Sequence, residues 1–177
     1  QAHSLPLLLV SPELLKDLSE TPTPQGIMAV IDLPSSPLGW QPSGQRYLIL
    51  DAVQDPGNLG TLIRTADAAA YDGVILGKGT VDVYNDKVLR ASQGSLWHLE
   101  VVSLDLLQEA RPAFEAAGIP WFVTALHQEA KAYQEVPANQ KLALVLGNEG
   151  QGVSEAVIQV ADQTIYIPMP GQAESLN

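Results

Sequence analysis

The chain has 177 residues, is 46% hydrophobic and carries a formal net charge of -11. That is enough apolar content for one sizeable core, and too acidic for an extended surface that grips phosphate backbones, so any nucleic-acid partner must be held by a few local cations. Cysteine is absent and the three histidines, His3, His98 and His127, lack metal-ligand spacing, which excludes disulfides, thiolate nucleophiles and cysteine-based metal centres and leaves no metal expected.

No run of about 18 apolar residues is present to span a membrane. Nothing after Gln1 has the charged-then-apolar form of a secretory leader, so the cytoplasm is the expected compartment. The missing initiator Met and the ending on Asn177 suggest part of a longer polypeptide.

Ser11-Pro12-Glu13-Leu14-Leu15-Lys16-Asp17-Leu18 predicts a short helix, with Ser11 as N-cap and Pro12 at the first helical position. Thr21-Pro22-Thr23-Pro24 stops it and reads as a linker, after which Gly26 to Ile31 is an apolar run of strand length. Pro34 to Gly44 is a loop rich in Pro, Ser and Gly. From Arg46 the pattern alternates: strand near Tyr47–Ala52, helix near Leu59–Ala70, strand Gly73–Leu76, helix near Asn85–Ala91, strand Leu99–Val102. It continues with helix Asp105–Ala117, capped by Gly118, strand Ile119–Thr124, strand Leu142–Leu146, helix Ser154–Val160 and strand Thr164–Ile167. Apolar strands alternating with amphipathic helices imply an α/β fold, a mostly parallel sheet with helices on both faces.

Three strands run into glycines and polar residues, the form of a ligand site outside the carboxyl ends of a parallel sheet. The first loop leads into Asn58, read as a helix N-cap, and Arg64 on the helix it opens. Leu62, Ile63, Ala66 and Ala68 to Ala70 make that helix look buried on most sides, where a charge needs a partner; a solvent-facing Arg on a capped helix is the bland alternative. The second, Gly147-Asn148-Glu149-Gly150-Gln151-Gly152, lacks the Lys-Ser or Lys-Thr of a phosphate loop and the glycine spacing of a dinucleotide fold. It could be a plain turn, but that leaves Glu149, held between glycines at a strand end, unexplained. The third, Ile167-Pro168-Met169-Pro170-Gly171, is apolar and bent. Lys87 and Arg90 sit on a short helix read as a surface helix, with phosphate contact as the lesser option.

The ordered set Asn58-x-Gly60-x-x-x-Arg64-Thr65-Ala66, Leu146-Gly147-Asn148-Glu149-Gly150-x-Gly152 and Ile167-Pro168-Met169-x-Gly171-x-x-Glu174-Ser175-Leu176-Asn177 resembles the SpoU/TrmH-type RNA ribose 2'-O-methyltransferases of the SPOUT superfamily. The resemblance runs from about Gly26 to the end. It implies a methyltransferase domain over residues 23–177, with residues 1–22 as the tail of an N-terminal RNA-binding domain joined through Thr23-Pro24-Gln25-Gly26. It further implies a C-terminal trefoil knot, a homodimer, and S-adenosylmethionine as methyl donor to ribosomal RNA ahead of transfer RNA.

By that likeness Asn58, Arg64, Glu149, Ser175 and Asn177 line the catalytic centre, and Thr124, Ala125, Leu146, Gly147, Ile167, Met169 and Leu176 hold the cofactor. Glu149 is expected to fix either its loop or Arg64 by a charge-assisted hydrogen bond. The helix that closes the knot in the family lies beyond Asn177, so a chain ending here is expected to hold the cofactor poorly. A catalytically silent RNA-binding paralogue of the same fold is the alternative.

Overall fold

The computed structural model describes residues 6–19, 21, 23–33, 38–127, 129–136 and 141–171. It falls into two compact units, residues 1–35 and 36–177. In the first, helix α1 (Pro12–Leu18) begins as expected, the Ser11 hydroxyl accepting from Leu14 N at 3.2 Å, and buries none of its residues. The apolar run from Gly26 to Ile31 is not a strand; Ile27 and Val30 are almost fully exposed. A strand needs a hydrogen-bonded neighbour, and this run has none among the described residues.

The second unit is built on a seven-stranded sheet in which every pairing is parallel. Its strands are β1 (Arg46–Leu50), β2 (Gly73–Leu76), β3 (Glu100–Ser103), β4 (Trp121–Thr124), β5 (Lys131–Ala132), β6 (Leu142–Leu146) and β7 (Gln163–Tyr166), and their spatial order is β3-β2-β1-β6-β4-β7-β5. Four helices accompany them: α2 (Pro56–Ala68), α3 (Asp86–Ser92), α4 (Arg111–Ala116) and α5 (Glu155–Ile158).

Because side chains alternate along a strand, each face of the sheet receives every second residue. Leu48, Leu50, Val74 and Leu76 pack with Leu59, Ile63 and Ala66 of α2 and Val88 of α3. Tyr47, Ile49, Val123, Ala143 and Val145 pack on the other face with Phe114 of α4 and Val157 of α5. Each such aliphatic or aromatic side chain, fully buried, contributes about 1.5–3 kcal/mol, which explains why the continuous apolar runs become central strands.

The predicted helix 105–117 begins instead as a π-helical stretch, Leu106–Ala110, and becomes α4 only at Arg111. Pro112 has no N–H to donate, and Arg111 N reaches back five residues to Leu106 O, so the ladder shifts register there. Gly118 closes α4 as predicted, at φ 65°. Its N–H bonds Glu115 O and Ile119 N bonds Phe114 O, both at 2.9–3.0 Å, a Schellman stop.

Strands β2 and β3 build outward from one side of β1, whereas β6 and β4 lie on the other. The direction of winding therefore reverses between β1 and β6, where a doubly wound sheet opens its ligand crevice. Strand β7 lies between the earlier strands β4 and β5, so the segment joining those two bridges over its position. The implied knot depends on the path after Gly171, and residues 172–177 lie outside the described residues.

Candidate active site

All strands being parallel, the loops after β1, β6, β4 and β7 emerge side by side on one edge of the sheet. The loop after β1 turns into α2 at Asp55, which is the N-cap; its carboxylate accepts from Asn58 N at 2.7 Å and Pro56 occupies the first turn. This corrects the sequence expectation that Asn58 caps the helix. Pro56 suits the first helical position, so the helix starts three residues earlier and the Asn58 amide is released for another partner.

That partner is Glu149, from the loop after β6. Its Oε1 accepts from Asp55 N at 3.0 Å and Asn58 Nδ2 at 3.2 Å, and its Oε2 from Gln54 N at 3.1 Å. A carboxylate has acceptors enough for all three. Burial pushes the Glu149 carboxyl up, but the backbone N–H groups of Gln54, Glu149 itself and Asp55, with the Asn58 amide, outweigh it and hold the group below the ordinary carboxylate value. Glu149 thus ties the loop after β6 to the loop after β1 and the first turn of α2.

Asn148 adds a second tie. Its Nδ2 donates to Ala52 O at 2.9 Å, and its Oδ1 accepts from Gly150 N and Gln151 N at 2.9 and 3.0 Å. Ala52 stands in the left-handed region at φ 58°, a conformation a residue with a Cβ holds only when its surroundings fix it. Gly147 admits no side chain: a Cβ there would lie 2.1 Å from both Gly152 C and Val153 N. A third tie was not foreseen. Asp51, buried at the end of β1, accepts from Ser154 N at 2.8 Å through Oδ2 and donates its own N–H to Leu146 O at 2.8 Å.

Gly60, in the first motif, serves packing. A Cβ there would come within 2.4 Å of Ala91 Cβ and 2.8 Å of Val88 O, so its absence lets α2 and α3 touch.

Of the two readings of Arg64, the solvent-facing one holds. The Ala-rich helix leaves Gly57, Thr61, Arg64, Thr65 and Ala68 exposed in one stripe, and the guanidinium makes no hydrogen bond or ion pair with any described residue. Alanine and threonine tolerate exposure, so their frequency did not mark a buried face.

On the cofactor side, Thr124 Oγ1 donates to Val145 O at 2.9 Å and Ala125 N to Ile165 O at 3.0 Å, joining the end of β4 to both neighbours. Leu146 and Gly147 lie one strand away, half-buried, and Met169 is half-buried as well. Ile167 and Leu126 present apolar surface at adjacent strand ends, 51% and 83% exposed. Ser175, Leu176 and Asn177 lie outside the described residues. A cavity of about 520 Å³ at the β5 edge, between His127, Lys131 and Glu155, includes none of the site residues.

The sequence profile of the SpoU rRNA Methylase family matches residues 45–177, from β1 through all three motif loops. The chain belongs to the SpoU rRNA methylase family. One relative, the 23S rRNA (guanosine(2553)-2'-O)-methyltransferase RlmP of Bacillus subtilis (strain 168), is 46% identical over 169 residues, covering 96% of this chain and 66% of its own length. An uncharacterized tRNA/rRNA methyltransferase of Synechocystis is 34% identical, covering 99% and 64%. The chain therefore spans slightly less than two thirds of these relatives.

Among solved structures, the AdoMet-bound rRNA methyltransferase of Sinorhizobium meliloti superposes with a TM-score of 0.83 at 30% identity, covering 94% of this chain and 64% of that one. The SpoU methyltransferase AviRb of Streptomyces viridochromogenes, in complex with AdoMet, gives 0.82 at 32%, covering 96% and 67%. Within the SpoU rRNA methylase family, the parallel sheet described here is thus the shared frame.

Proposed function

We propose that the protein transfers a methyl group from S-adenosylmethionine to a ribose 2'-hydroxyl of RNA, ribosomal ahead of transfer RNA, in the cytoplasm. The observation that carries this is the Glu149 tether, which binds the second family motif to the start of the first at the reversal point of the sheet. The 2'-O-methyltransferase name of the 46% identical relative supports the same reaction, and the two AdoMet-containing structures support the cofactor.

The residues present fit that cofactor. Apolar Ile167 and Leu126 flank strand ends whose neighbouring loops offer backbone groups, the mix that suits an adenine ring. Gly147 keeps its loop free of a side chain where the backbone folds back on itself. S-adenosylmethionine supplies an electrophilic methyl on a sulfonium, so the chain's task is chiefly to hold the ribose oxygen in line with it.

A guanidinium is a cation that donates hydrogen bonds and has no acceptor for a proton. The role of Arg64 in this proposal is to hold an RNA phosphate and stabilise the developing alkoxide; the 2'-hydroxyl proton passes to that phosphate or to water as the oxygen bonds the methyl carbon, and the S–CH3 bond breaks to leave a neutral thioether. Asn58 and Glu149 act as positioning residues that fix the helix carrying Arg64; Ser175 and Asn177 are assigned to ribose orientation. The exposed small-residue stripe around Arg64 supports a homodimer in which a second copy approaches α2. The insertion of β7 between β4 and β5 supports the knot, and the exposed Leu7, Leu8 and Leu9 support residues 1–22 as part of a separate RNA-binding domain.

The test separates binding from turnover. Arg64→Ala removes an exposed side chain with no partner among the described residues, so it should keep its melting temperature and its S-adenosylmethionine affinity by calorimetric titration while losing at least about a hundredfold in methylation rate. A variant that methylates normally, or that loses the cofactor, contradicts the assignment.

A further inference from the structure

An acidic protein that acts on RNA must present its free cations where the RNA passes. The chain has 9 lysines and arginines against 20 acids. Several of the cations are spent internally: Arg111 is paired in bidentate fashion with Asp162, Lys141 Nζ donates to Ala117 O, and Arg90 is paired with Asp86. The acids around the site are likewise committed to the fold. Asp55 and Glu149 accept from the start of α2 and the loop before it, and Asp82 accepts from Tyr84 N.

Lys78 and Lys87 differ. Both are exposed, and neither side chain comes within hydrogen-bond or ion-pair distance of a described residue, although the Lys87 charge is felt by the neighbouring Asp86, which is itself paired with Arg90. Their positions follow from the backbone. Lys78 lies two residues past the end of β2, in a turn hooked onto the end of β1 by Gly77 N to Leu50 O at 2.8 Å. A Cβ on Gly79 would lie 3.3 Å from Ala52 Cβ, so this turn rests against the residue that Asn148 holds.

Lys87 is on α3, one turn before Ala91, which meets Gly60. Helices α2 and α3 run the same way, since Gly60 meets Val88, Ala91 and Ser92 while Asp67, near the end of α2, bonds Ser95 and His98 beyond α3. One turn back from Ala91, about 6 Å, sets Lys87 level with the first turn of α2, where Asn58 meets Glu149.

We propose that Lys78 and Lys87 hold two phosphates of the RNA strand beside the nucleotide to be methylated, so that the backbone crosses the carboxyl ends of β1 and β2 over the α2–α3 seam. This rests on the methyl-transfer function proposed above. Two ammonium groups act as point charges for phosphates and read no sequence.

The experiment measures binding of an unmodified ribosomal RNA transcript to the wild-type protein, to Lys78→Gln/Lys87→Gln, and to Lys131→Gln at the opposite edge of the sheet, across a salt series. Two phosphate contacts to single-stranded RNA account for a log–log salt slope of about 1.4. The double variant should therefore bind roughly tenfold more weakly at about 0.15 M salt and converge with wild type near about 1 M. Its turnover at saturating RNA and its S-adenosylmethionine affinity should be kept, and Lys131→Gln should bind like wild type. Wild-type affinity and slope in the double variant, or an equal loss in Lys131→Gln, overturns the inference. A wild-type protein that methylates no RNA overturns the functional proposal instead.

Discussion

Replacing Glu149 with alanine removes three acceptor contacts at once, those to Gln54 N, Asp55 N and Asn58 Nδ2. The side chain is exposed, so each bond is worth about 0.5–1 kcal/mol after solvent screening, and the tether about 2 kcal/mol in all. For a unit of this size that lowers the melting temperature by about 4–8 °C. Because the hydrogen bonds hold the folded carboxyl below its ordinary value, the tether's contribution is complete above the unfolded pKa and fades as pH falls through the folded one. Thermal denaturation of wild type and Glu149→Ala should show a constant gap from about pH 8 to pH 5 that narrows as the pH falls below the ordinary carboxylate range. Methylation should fall through kcat, since the variant frees the helix that carries Arg64. A gap that is absent at neutral pH, or that widens in acid, refutes the reasoning.

Gly60→Ala would gain about 1 kcal/mol in an isolated helix; here the Cβ meets Ala91 and the Val88 carbonyl, so the expected result is a loss of about 1–3 kcal/mol in denaturant unfolding. Gly147→Ala places a Cβ 2.1 Å from two backbone atoms and should weaken S-adenosylmethionine binding, seen by titration, as well as stability. Asp51→Ala removes the buried acceptor of the part-buried bond from Ser154 N, costing about 0.5–1.5 kcal/mol, whereas Asp51→Asn keeps an acceptor oxygen and should recover most of the loss in the same melt.

Much of the architecture was legible because its causes are local. The apolar runs Tyr47–Leu50, Gly73–Leu76 and Leu142–Leu146 could satisfy neither solvent nor a half-exposed sheet, and they became central parallel strands. Gly118 announced the end of α4 because only a residue without a Cβ takes φ 65° cheaply. Asp55 and Asn58 are both capping residue types three positions apart, and Pro56 at the first helical position sets the start of α2 at Asp55. Strand β5, two residues long, has no periodicity to detect.

At the site, the motif glycines and Glu149 stood out, but their partners did not. Glu149 bonds residues 94 and 95 positions away, and Asp51 bonds one 103 away, distances at which no local pattern reports a contact. Asp51, a single acid ending an apolar strand, has the local pattern of an ordinary exposed turn residue. Alanine content does not report which way Arg64 faces: Ala66 is in the core while Ala68 lies on the exposed stripe with Arg64.

The most direct test of the central claim is to incubate the protein with methyl-labelled S-adenosylmethionine and unmodified ribosomal RNA, digest the RNA to nucleosides and separate them. Label in a 2'-O-methyl nucleoside is the predicted result. Label confined to a base, or no label from a protein shown to bind the cofactor, contradicts ribose methylation and the role given to Arg64.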